Sequence, residues 1–107
     1  MTTQRFNKLV RDNIPSIIEA SGRQVITRTL DDANYEVELR RKLTEESQEF
    51  FESGTLEELA DVLEVVFALA ARMGADPGAL ESARAKKCAE RGGFEKRIYL
   101  IEATAPE

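Results

Sequence analysis

Two acidic pairs, Glu46 with Glu49 and Glu58 with Asp61, stand in the stretch TEESQEFFESGTLEELAD, residues 44–61. The members of each pair are three residues apart, a spacing that puts both carboxylates on one face of a helix. Ser53-Gly54 interrupts the helical pattern between the pairs. This predicts two helices folded back on each other, with the four acids converging. Carboxylates that close repel, and some must protonate. A hard divalent cation with oxygen ligands removes the conflict; Mg²⁺ is the commonest such ion, and Mn²⁺ accepts the same donors.

The apolar pattern agrees. Leu39, Leu43, Glu46 and Phe50 follow i, i+4, i+7, i+11, so Glu46 takes a slot of the stripe that faces the core. A bare buried carboxylate is costly unless paired or bound to metal. In the second helix Glu58 and Asp61 share a face with Val65, Ala68 and Leu69. Two ordinary roles compete. Glu-rich helices carry many solvated acids, and Thr55 with Glu58 reads as a capping box, TLEE, in which the Glu58 side chain would reach back to the Thr55 amide.

Histidine is absent, which excludes Ser-His-Asp and Cys-His chemistry within the chain. It also argues against zinc and against a carboxylate–histidine di-iron site, so a metal site here is built from oxygen. The 107 residues predict one domain spanning residues 1–107. A chain this short buries a modest core, which an oligomer interface would extend. Hydrophobic residues at 42% and charged residues at 33% fit a folded globular protein. A net charge of −5 argues against a partner that is a nucleic-acid polymer. Cys88 is the single cysteine, so no internal disulfide forms and a reducing cytoplasm is the expected setting. No signal peptide and no apolar run of membrane-spanning length is evident.

Taken in order, FNKLVRDNIP at residues 6–15 mixes charge with Leu9, Val10 and Ile14. Lys8 and Arg11 read as solvated charges or as phosphate contacts. A short helix is predicted over Pro15–Ala20, with Asn13 as cap and Gly22 as stop. QVITRTL at residues 24–30 predicts a strand. Asp31 and Asp32 are N-caps for a helix over Ala33–Glu52. Thr55 opens a helix ending near Met73-Gly74, whose VLEVVFALAA segment is apolar on almost every face, as in the core of a monomer or of a dimer. Asp76-Pro77 opens a further helix to Arg91. On it Arg84, Lys87 and Arg91 line up, with Lys86 alongside. This strip reads equally as a solvated helix end favoured by the macrodipole or as counter-charge for phosphates. Gly92-Gly93 stops the helix, and FEKRIYLI at residues 94–101 reads as a second strand, with residues 24–30 as its partner.

Three stretches together carry a family resemblance: KLVRDNIP at residues 8–15, the EESQE…EELAD pattern, and KKCAERGGFEKR at residues 86–97. The middle one resembles the EExxE…ExxD signature of the MazG-type all-α nucleoside triphosphate pyrophosphohydrolases, relatives of phosphoribosyl-ATP pyrophosphohydrolase and the dimeric dUTPases. The whole chain is similar to a small house-cleaning subgroup with KLVRDxIP near the start and ERGGF near the end. The resemblance implies a mainly α fold, a MazG-like helical bundle here supplemented by the two short accessory β-strands, assembled as a homodimer or tetramer. It implies a nucleotide substrate, cut between its α and β phosphates. Glu46, Glu49, Glu58 and Asp61 would ligate Mg²⁺, and Glu45 would orient or deprotonate the attacking water. Lys8, Arg11, Arg84, Lys87 and Arg91 are the candidates to take up phosphate charge. Only eight residues separate Glu49 from Glu58, a shorter link than MazG-type enzymes usually have. Two alternatives remain: a phosphoribosyl-ATP pyrophosphohydrolase, and a non-catalytic helical dimerisation module whose Glu45 is a surface acid paired with Arg41.

Overall fold

The computed structural model describes residues 2–106. Its four helices are α1 (Ile14–Ala20), α2 (Asp32–Ser53), α3 (Leu56–Arg72) and α4 (Pro77–Arg91). Local chemistry accounts for their bounds. The Asp31 side chain accepts from the Asn34 amide at 2.8 Å to start α2, and the Asp76 side chain accepts from the Ala79 amide at 2.8 Å to start α4. Gly54, at φ 66°, ends α2 in the left-handed conformation, which glycine adopts without a Cβ penalty. Asn13 stands at the N-terminus of α1 but makes no side-chain cap, so Pro15 in the first turn is what favours that helix.

α2 and α3 form an antiparallel hairpin. Arg72 near the end of α3 reaches Asp32 at the start of α2, at 3.8 Å. The core lies between them: Leu39 of α2, 3% exposed, with Val65 and Ala70 of α3. α4 packs on the outer half of α3, where Pro77 and Leu80 meet Leu63, Val66 and Phe67 in a shallow apolar groove. No residue of α1 or α4 is buried. Leu59 and Leu63 of α3 stand about half exposed.

Among the described residues there is no strand, so neither expected strand forms. A strand needs a partner for its amides and carbonyls, and the stretches 24–30 and 94–101 pair with no strand among the described residues. The second is also broken by a turn in which the Arg97 amide donates to the Phe94 carbonyl at 3.0 Å, with Arg97 at φ 57°. Ile26 and the run from Ile98 to Ile101 are almost wholly exposed. The chain is extended as well: its radius of gyration is 18.9 Å, against about 13 Å for a compact domain of this size. It exposes 9948 Å², where a compact monomer of this mass exposes roughly 6,000 Å².

Candidate metal centre

The hairpin brings three of the expected ligands into one cluster. Glu46 of α2 and Glu58 and Asp61 of α3 each offer a carboxylate oxygen, all within 4.8 Å of one another. Glu46 is 8% exposed, as its place on the Leu39–Phe50 stripe requires. Glu49 is half-buried, one helical turn from Glu46, and stands outside the tight trio.

Glu58 keeps its side chain for this cluster. The Thr55 hydroxyl accepts from the Glu58 amide at 3.2 Å, which caps α3. The reciprocal half of the capping box is missing: the Thr55 amide donates to Ser53 Oγ at 3.4 Å instead. Glu58 Oε2 and Glu46 Oε2 are both buried and without a hydrogen-bond partner. A buried acceptor left unpaired is costly. Two such oxygens beside a third carboxylate form an all-oxygen donor set that fits a hard divalent cation.

Electrostatics divide the neighbouring acids. Burial, and then the neighbouring Glu49 carboxyl, push the Glu46 carboxyl above the usual carboxylate range, against the pull of Lys42. Burial also pushes Glu45 upward, but hydrogen bonds and charge from Lys8 and Lys42 together outweigh it and hold Glu45 below that range. The two neighbouring acids are thus shifted in opposite directions, Glu46 upward by burial and Glu45 downward by its lysines.

Two of the expected phosphate contacts reach this face from the N-terminal segment. Lys8 Nζ donates to Glu45 Oε1 at 3.1 Å, and Arg11 Nη2 donates to Asp61 Oδ1 at 2.6 Å. The basic strip of α4 behaves otherwise. Arg84 is held by Glu81 one turn back, its Nε donating at 2.8 Å, and that hydrogen bond raises its already high pKa. Lys87 and Arg91 are exposed, and among the described residues neither pairs with an acid of the cluster. Arg41 does not pair with Glu45; it pairs with Glu38 at 3.4 Å.

Lys42 is the residue that sequence reasoning missed. Its ammonium lies 3.5 Å from Glu45 and 3.3 Å from Glu46, on a side chain 14% exposed. The signal was present, since Lys42 stands at i−3 and i−4 from these two acids, where helical side chains meet.

A protein of uncharacterised function from Mycolicibacterium smegmatis is 52% identical to the chain over 42 residues, covering 39% of this chain and 43% of that relative. The match thus spans less than half of the relative's length. No family model and no solved structure matches the chain.

Proposed function

We propose that the protein is a metal-dependent pyrophosphohydrolase acting on a nucleoside triphosphate or similar nucleotide, cleaving between the α and β phosphates to give a monophosphate and pyrophosphate. The observation that carries this reading is Glu46: a carboxylate 8% exposed, with one oxygen unpartnered, facing Glu58 and Asp61 across the hairpin. A surface Glu of a Glu-rich helix has no reason to be there.

Glu46, Glu58 and Asp61 would hold a divalent cation, with Glu49, one turn from Glu46, as fourth ligand. Mg²⁺ or Mn²⁺ at that place would supply Lewis acidity toward the phosphoryl group and toward the attacking water. Glu45, whose pKa Lys8 and Lys42 hold down, would accept the proton of that water. Lys8 and Arg11, which reach the same face, would neutralise phosphate oxygens. The family resemblance of KLVRDNIP, EESQE…EELAD and ERGGF supports the same chemistry and a MazG-like bundle.

The surface supports assembly. The excess of roughly 4,000 Å² per chain over a compact monomer is larger than one partner's share of an ordinary obligate interface, and a homodimer or tetramer would cover part of it at the open face of α3 and the apolar run from Ile98 to Ile101.

The test is a pyrophosphate-release screen over standard and damaged nucleotides, with phosphoribosyl-ATP included, in Mg²⁺ and in Mn²⁺. Release on at least one nucleotide, abolished by chelator, is expected. No release from any substrate in either metal contradicts the proposal.

A further inference from the structure

The N-terminal segment meets the acidic cluster through two ion pairs that span 37 and 50 residues of sequence. Little else holds it there. Leu9 and Val10 are only half-buried, and α1, which follows, has no buried residue. Arg11 is bonded to Asp61, which is itself one of the three clustered ligands. Three cations, Lys8, Arg11 and Lys42, pair with Glu45, Glu46 and Asp61, so the cluster carries more carboxylates than cations.

A guanidinium and a divalent cation on the same carboxylate repel each other. The guanidinium is the one that can leave, because its pair with Asp61 is solvent-exposed and such pairs are weak. Once displaced it is still carried by the segment that meets the cluster through Lys8 and Glu45. A planar guanidinium binds phosphate through two parallel hydrogen bonds.

Resting on the metal reading above, we propose that Arg11 is an exchangeable counter-ion. It neutralises Asp61 in the metal-free protein, yields Asp61 to the divalent cation, and transfers to a phosphate of the substrate. Metal binding and substrate binding are thereby ordered: the cation's arrival frees the group that receives the phosphate. Lys42 cannot play this part, since it is fixed on α2 one turn from Glu46.

The exchange predicts effects of opposite sign for one substitution. Removing the competitor tightens the metal, and removing the phosphate contact loosens the phosphate ligand. The experiment measures Mn²⁺ affinity by the loss of free-ion spin-resonance signal, and inorganic pyrophosphate affinity by calorimetry at saturating Mn²⁺. It compares the wild-type chain with Arg11→Gln and Arg11→Lys. Arg11→Gln is expected to bind Mn²⁺ about threefold more tightly, the scale of an exposed ion pair, and pyrophosphate about tenfold more weakly, the scale of a charge-assisted hydrogen bond. Arg11→Lys keeps the charge and loses the fork, so its Mn²⁺ affinity stays near wild type while pyrophosphate weakens. If Arg11 were only a structural tie, both affinities of Arg11→Gln would fall together; that result, or no change in either, overturns the exchange and leaves the metal site standing. A wild-type chain that binds no Mn²⁺ overturns the metal reading and the exchange with it.

Discussion

Glu46 and Arg91 both sit on long capped helices, yet one is buried between helices and the other open to solvent. The α2/α3 hairpin encloses most of the buried side chains and gathers carboxylates against apolar packing. From α4 onward the chain carries the basic strip and the apolar run from Ile98 to Ile101, and buries no residue. The difference teaches how to weigh a charged cluster. Acids that a hydrophobic stripe draws inward bear a desolvation cost that needs a compensating ligand. Bases on a solvated helix end bear none, and Arg84 satisfies itself on Glu81 within its own helix.

The contrast is broken or sharpened first by the hairpin acids. Glu46→Gln should lower metal-dependent turnover by at least about a hundredfold, the scale of losing a metal-site residue, while the chain remains folded. Without metal, the wild type should lose stability as pH rises above 4.5 through the raised pKa of Glu46, because the folded state binds the proton more tightly than the unfolded one. Glu46→Gln should flatten that slope. Glu45 has the opposite sign: its lowered pKa gives stability that is present above 4.5 and is lost as pH falls through the folded value. Glu45→Gln should keep metal-dependent stabilisation and lose roughly 10²-fold or more in rate, as a missing general base does. Thermal melts from pH 4 to 8 beside rate measurements separate the two acids.

Packing gives the next largest effect. Leu39→Ala, at a position 3% exposed, should cost about 2–5 kcal/mol. Ile101→Ser, at a position 86% exposed, should change the stability of an isolated chain by less than about 0.5 kcal/mol. In the proposed oligomer Ile101→Ser should instead shift the assembly toward smaller species, read by light scattering across a dilution series. Unchanged mass with an unchanged melt would leave the terminal segment outside any interface.

The smallest effect belongs to the basic strip. Arg91→Met should move the melting temperature by less than about 4 °C, as surface changes in a domain this small do. A several-fold rise in KM with that unchanged melt would bring α4 to the substrate. An unchanged KM would leave it a solvated helix end.

The helices and the inward acids were legible because both follow from local rules. Asp31, Thr55 and Asp76 cap where side-chain oxygens should, the helix limits fall within a residue or two of the pattern, and Glu46 declares itself by occupying an apolar slot. The strands were not legible, because β-propensity at residues 24–30 and 94–101 says nothing about whether a partner is in reach. The contacts of Lys8 and Arg11 with Glu45 and Asp61 were equally hidden: pairs 37 and 50 residues apart depend on how the N-terminal segment crosses the hairpin. Spacing made the α4 strip look as informative as the acids; burial separates them.

The claim at the centre is that Glu46, Glu58 and Asp61 hold a divalent cation. Thermal melts of the wild type and of Glu46→Gln, with and without saturating Mn²⁺, test it most directly. A ligand that binds only the folded state stabilises by about 2.7 kcal/mol at a hundred times its Kd, which is more than 10 °C for a chain of this length. The wild type should show a rise of that order and Glu46→Gln almost none. Equal rises in both, or none in the wild type, would contradict it.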